Sequence, residues 1–174
     1  MLRELLDRFR PRDAPALATA YSREGRLFIQ ASDRTVRATA GFWVSAGPVA
    51  CLAAADPPAL VGAAVLAALA RSRLEVPAPE RGADLEGPLR QAVGVRSRRA
   101  LMAGMRACGI SREGGELLVL PYDNGGTTGE GRGYRGRPDA EALRLPTDAP
   151  AEAVGRAVRA ALEQATPGPG APVT

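Results

Sequence analysis

The chain has 174 residues, 45% hydrophobic and 24% charged, which is the balance of an ordinary globular domain and excludes a disordered or fibrous chain. All 23 basic residues are arginine, set against 19 acidic ones for a formal net charge of +4; the two signs are interspersed, so charge alone names no partner. With two cysteines and no histidine, the usual ligands of zinc, haem and non-haem iron are missing, as is the proton acceptor of Ser-His-Asp and Cys-His nucleophiles.

No cofactor or metal is therefore expected, and any acid–base work would fall to carboxylates. Folding at this length buries roughly 70% of the unfolded chain's surface, enough for one core without disulfides. Residues 1–165 are expected to form a single α+β domain, and the Pro- and Gly-rich residues 166–174 a disordered tail. The opening Met1-Leu2-Arg3-Glu4 mixes charge into its first turn and lacks the apolar run of a secretory signal. Between Val49 and Ala70 the most apolar stretch is broken by Asp56, Pro57 and Pro58, too short to cross a bilayer core of about 30 Å. A cytoplasmic protein without membrane spans is expected, in which Cys51 and Cys108 are buried thiols.

In chain order, Leu2, Leu5, Leu6 and Phe9 predict a short amphipathic helix stopped by Pro11. Four β-compatible stretches follow, at Ala16–Tyr21, Arg26–Ala31, Val36–Val44 and Val49–Ala54. Hairpin turns are predicted at Arg23-Glu24-Gly25 and Ser32-Asp33-Arg34, and Trp43 is expected on a sheet face. Asp56 reads as the N-cap of a helix reaching about Arg73, with Pro57 and Pro58 in its first turn and a stripe of Leu60, Val61, Ala64, Val65, Ala68 and Leu69. Residues 76–94 read as a loop with one short helical turn. Ser97–Cys108 reads as a helix capped by Ser97 and stopped at Gly109, and Glu116–Tyr122 as a central strand. A short strand at Ala142–Leu145 and a helix opened by Asp148 and Pro150 close the domain. The fold class is α+β: a largely antiparallel sheet with packed helices.

The most informative segment is Pro121-Tyr122-Asp123-Asn124-Gly125-Gly126-Thr127-Thr128-Gly129-Glu130-Gly131-Arg132-Gly133-Tyr134-Arg135-Gly136-Arg137, which sets six glycines behind a strong strand. Such a loop lets backbone approach a partner closely. Gly131, Gly133 and Gly136 match the letters of a dinucleotide fingerprint, but no helix opens there, and a chain without lysine has no phosphate-binding loop of the Walker type. Arg132, Arg135 and Arg137 around Tyr134 suit phosphates and a stacked base, so nucleic-acid binding is an alternative reading. Asp7, Asp33, Asp56, Asp123 and Glu130 are the candidate acids in principle, without a diagnostic spacing; each reads first as a turn former, cap or solvated charge.

Over residues 36–165 the chain resembles the immunity proteins of contact-dependent growth inhibition, in the group that includes partners of ribonuclease-type toxins. The resemblance is carried by the run Leu60-Val61-Gly62-Ala63-Ala64-Val65-Leu66-Ala67-Ala68-Leu69, by Ser97-Arg98-Arg99-Ala100-Leu101-Met102-Ala103-Gly104-Met105-Arg106-Ala107-Cys108, and by the strand ending in Pro121. The glycine segment and the closing Ala151-Glu152-Ala153-Val154-Gly155-Arg156-Ala157-Val158 complete it. It implies a non-catalytic cytoplasmic inhibitor that binds a cognate toxin's C-terminal domain, expected to be a ribonuclease. Tyr122, Asp123, Asn124, Glu130, Arg132 and Tyr134 are, from the loop's own chemistry, the candidate partner-binding residues. The net basic charge departs from the acidic character expected of an inhibitor of basic nucleases.

Overall fold

The computed structural model describes residues 14–36, 41–137 and 142–170. The helix expected over residues 2–10 lies outside them, as do residues 171–174. Seven antiparallel strands form one sheet: β1 (Ala16–Arg23), β2 (Arg26–Arg34), β3 (Trp43–Ala53), β4 (Arg106–Glu113), β5 (Glu116–Asn124), β6 (Tyr134–Gly136) and β7 (Leu143–Pro146). Their spatial order is β3-β2-β1-β4-β5, and both short strands share the outer edge of β5. There β7 lies along Glu116–Val119 and β6 along Tyr122–Asn124.

Alternation along these strands sorts the side chains. Ala16, Ala18 and Ala20 of β1, Leu27 and Ile29 of β2, Cys108 and Ile110 of β4, and Leu117 and Val119 of β5 share one buried cluster. Two helices cover it, α1 (Pro58–Arg71) through Val61, Val65, Ala68 and Leu69, and α4 (Ala151–Gln164) through Val154, Val158, Ala161 and Leu162. The small residues of β1 let these helices sit close to the sheet's centre. On the opposite face a second cluster forms from Tyr21, Phe28, Leu89, Leu101, Met105 and Ala107 beneath α2 (Gly87–Val93) and α3 (Arg98–Met102). The α+β layering expected from the sequence is the observed one.

Several local expectations are corrected. The run Ser97–Cys108 is not one helix: α3 stops after Met102, Gly104 adopts a positive φ of 68°, and the chain re-enters the sheet as β4 at Arg106. Pairing with β1 on one side and β5 on the other outweighs the helical spacing of Leu101, Met105 and Cys108. Gly109 is thus not a helix stop. It is a strand residue, and a Cβ there would stand 2.0 Å from the Tyr122 hydroxyl. Glu24 and Gly25 make the expected β1–β2 turn, whereas Ser32-Asp33-Arg34 lies inside β2.

The two strands expected at Val36–Val44 and Val49–Ala54 are replaced, within the described residues, by one long β3. A bulge at Gly47-Pro48 interrupts its pairing between Gln30 and Ala31. Trp43 does lie in this strand, under the Arg34 guanidinium at 5.9 Å. Asp56 does not cap α1, whose N-cap is Pro57; its carboxylate accepts from the Ala53 N–H at 2.8 Å. Within 76–94 the single helical turn is α2, which ends on Gly94 in the left-handed region. Cys108 is a buried thiol as expected, but Cys51 is exposed on the edge strand, and both are free.

Residues 166–170 are not a free tail. Thr166 exchanges backbone bonds with β5 (its N–H to the Tyr122 carbonyl at 3.1 Å, its carbonyl from the Asn124 N–H at 3.3 Å), and Gly168 bonds Met105 and Gly104. A Cβ on Gly168 would meet the Met102 carbonyl at 1.9 Å, so only glycine lets the chain pass there.

Candidate functional site

The glycine loop leaves the end of β5 and returns as β6. Asn124, 4% exposed, is its hinge post: the side-chain amide donates to the carbonyls of Met102 (2.9 Å) and Met105 (2.7 Å) and accepts from the Gly126 N–H (3.0 Å). The Gly125 N–H donates to the Gly133 carbonyl at 2.9 Å, and the Gly133 N–H to the Gly126 carbonyl at 2.8 Å, closing the base of the loop. A Cβ on Gly125 would lie 1.7 Å from the Gly131 carbonyl oxygen, so the two limbs touch backbone to backbone. The loop is thereby braced against α3 and the 166–168 segment.

The six residues expected to face a partner divide by exposure. Glu130 and Arg132 stand exposed near the tip, and Asp123 is half-buried, accepting from the Thr166 hydroxyl at 2.5 Å with Arg137 at 3.6 Å. Asn124 is consumed by the bracing bonds. Tyr122 and Tyr134 are mostly packed, with ring centroids 6.4 Å apart, and Tyr134 meets Tyr21 edge-on at 5.8 Å. All three tyrosines of the chain therefore gather under the loop. The Tyr134 hydroxyl is buried and has no hydrogen-bond partner among the described residues.

Burial raises the pKa of each of these phenols. Tyr21 is pushed from 10.0 to about 12, and its hydroxyl's bonds to Thr19 and Ser45 offset only part of this. Tyr122 and Tyr134 move in the same direction for the same cause, and the buried Cys108 thiol is pushed up from 9.0 to about 12. A raised pKa in an acid means that the fold favours the neutral form. The resulting stabilisation is whole below the unfolded values and drains away as pH rises through the folded ones. Stability should thus hold through neutrality and fall progressively from about pH 9 to 12. Phenolate absorbance should appear together with loss of the fold; a smooth titration near pH 10 in a still-folded protein would contradict this reading.

The candidate acids are engaged separately. Asp33, 2% exposed, accepts from the Arg73 backbone N–H at 2.8 Å and from its guanidinium, and Asp56 holds the Ala53 turn. Asp7 lies outside the described residues. The fingerprint letters Gly131, Gly133 and Gly136 fall on a loop and a strand, where no helix N-terminus can receive a pyrophosphate. No helix among the described residues is long and apolar enough to cross a membrane.

Sequence reasoning missed the other wall of this region. The loop, α3 and the 166–170 segment enclose a groove of about 730 Å³ whose lining includes Ser97, Arg99, Met102, Thr127, Thr128 and Gly170. Ser97 also caps α3, accepting from the Ala100 N–H at 3.1 Å.

Fold and site together define an α+β domain with a braced polar loop and a groove at one corner of the sheet. The model of the CdiI family, the CDI immunity proteins, matches residues 39–165, and the chain belongs to that family. Among solved structures it is similar to a protein of unknown function from Neisseria meningitidis, with a TM-score of 0.68 and 22% identity over 90% of this chain and 98% of that one. It is also similar to a chain of the CdiA-CT/CdiI toxin and immunity complex from Yersinia pseudotuberculosis, with a TM-score of 0.63 and 17% identity over 87% and 98% of the two chains. At these identities the likeness is one of fold. No curated protein matches the sequence.

Proposed function

We propose that this chain binds the C-terminal toxin domain of its own cell's growth-inhibition system in the cytoplasm and neutralises it without catalysis, by covering the active site or blocking substrate entry. Membership of the CDI immunity family over residues 39–165 carries the reading. The geometry supports it: a loop already held in one conformation loses little freedom on docking, and Glu130 and Arg132 at its tip with Asp123 at its base offer groups of both signs. Asn124, Tyr122 and Tyr134 serve the same surface from beneath by fixing the loop's position. The toxin is taken to be a ribonuclease.

The test is a titration, at physiological salt, against the C-terminal domain of any large secreted protein encoded beside this chain, with RNA cleavage by that domain followed in parallel. Nanomolar binding that stops cleavage is the expected result. Absence of binding, with retention of RNA that weakens steeply with salt, would replace this reading by nucleic-acid binding.

A further inference from the structure

We infer that the groove between α3 and the glycine loop is a docking site for an acidic polypeptide segment, and that the toxin of the reading above presents such a segment to it. The inference rests on that reading and adds the partner's chemistry. Three observations carry it.

The first is charge. Arg98 is taken by Glu86 at 3.2 Å, Arg137 lies 3.6 Å from Asp123, and the nearby Arg23 holds Glu24 at 3.0 Å. Arg96, Arg99, Arg132 and Arg135, all exposed, have no carboxylate within ion-pair distance among the described residues. Against these four cations, among the described residues of 96–103 and 125–136, stands the carboxylate of Glu130. Arg99 is itself a lining residue. An uncompensated arginine in the lining, with three more on the chain segments adjoining it, favours carboxylates on the incoming surface and speeds their encounter.

The second is the lining. Beside Arg99, the groove offers the hydroxyls of Ser97, Thr127 and Thr128 and the backbone around Gly126 and Gly170, with apolar surface from Ala100, Met102 and Ala103. Polar donors interleaved with small apolar patches suit a peptide, which brings backbone acceptors as well as side chains. At about 730 Å³ the space takes several side chains.

The third is rigidity. One wall is the loop braced by Asn124, whose amide reaches the Met102 carbonyl beneath α3; the other is tied where Gly104 donates to Gly168 at 3.2 Å and Gly168 to Met105 at 3.2 Å. Arg23 adds a bond of 2.5 Å to the Ala100 carbonyl of α3. The groove is formed before anything enters it, which is the condition for tight docking at modest area.

This arrangement also accounts for a net basic member of the family: the complementary face of its partner is acidic, and lies apart from the cationic surface with which a nuclease holds its substrate.

The test compares wild type with three variants in titrations against the adjacent-gene toxin domain, each variant first checked for a cooperative melt. Arg99→Glu reverses the lining charge. Thr128→Trp fills the groove from an exposed position and keeps every arginine. Arg71→Glu is the control for net charge, since Arg71 borders a small cavity with Ala31 and Asp33 at the opposite end of β2. Arg99→Glu and Thr128→Trp should each weaken binding about tenfold or more, with Arg71→Glu near wild type. An Asp or Glu to Lys change in the toxin should recover binding to Arg99→Glu. If wild type binds tightly and neither groove variant differs from it, the groove proposal falls and the immunity reading stands. If wild type ignores the domain, both fall. Salt-steep RNA retention by wild type that Arg99→Glu abolishes would overturn the acidic-peptide assignment in favour of RNA.

Discussion

Gly62→Ala is expected to lower stability by about 3 kcal/mol, the upper end for forcing extra atoms into a packed interior, and the melting midpoint by roughly 6–12 °C. The cause is the crossing of α1 over α4. A Cβ on Gly62 would stand 1.7 Å from the Ala151 carbonyl oxygen and 2.9 Å from the Gly155 nitrogen, and one on Gly155 would stand 1.9 Å from the Pro58 carbonyl oxygen. The neighbours are backbone, so no side chain can swing away. One methyl must push the two helices apart, and both seal the same core through Val61, Val65, Val154 and Val158. Gly155→Ala should cost a similar amount, and the double variant less than the sum, because a single separation relieves both clashes. Thermal melts of the three variants check this. Unchanged midpoints would show that the helices have slack.

Asn124→Ala is the second large effect, with a loss of about 3 kcal/mol expected in the same melts. It removes the partner of two buried carbonyls, Met102 and Met105, and of the Gly126 N–H. Its consequence reaches function, because those bonds tie the loop to α3: toxin protection should fall even below the melting range, where the core is intact. Asn124→Asp separates bonding from bulk. It keeps the acceptor for Gly126 but turns a carboxyl toward two carbonyl oxygens; only its protonated form has a donor, and that serves one of them. Burial raises its folded pKa, so that variant should be most stable at acid pH and lose stability as pH rises. An Asp variant as stable as wild type at neutral pH would show that the amide's donor side is dispensable.

The sequence made the core legible because period and chemistry agreed there. Alternating Ala16, Ala18 and Ala20, the Glu24-Gly25 turn, and the stripes of α1 and α4 each point to one structure. Where two periods fit the same letters, reading failed. Met102, Met105 and Cys108 suit a helix face, yet Ala107, Gly109 and Ser111 alternate with Cys108 and Ile110 just as well, and only the ladders to β1 and β5 decide. α2 carried its own start and stop in Pro88 and Gly94, masked by the prolines and glycines around it.

The candidate site was half legible. Its glycines marked the loop, and Asn124 was among the residues singled out, but its bracing role was not read: a buried amide that builds the loop looks the same in sequence as an exposed one that greets a partner. Thr166–Gly168 left no trace at all, because it is held by backbone bonds that any residue can make. The groove they complete was invisible for that reason.

The order of the sheet also sets a timetable for the newly made chain. β1 lies between β2, which follows it directly, and β4, which comes about ninety residues later. At ribosomal speeds the meander of β1, β2 and β3, complete at Ala53, emerges roughly 3–12 s before β4 is available. During that interval the row of N–H and C=O groups from Ala16 to Ser22, destined for Arg106–Arg112, lies open along what will be the centre of the molecule. The arrival of β4 at this seam, a contact distant in sequence, is then the expected slow step of folding, and the nascent half-sheet the form most exposed to pairing with the wrong chain.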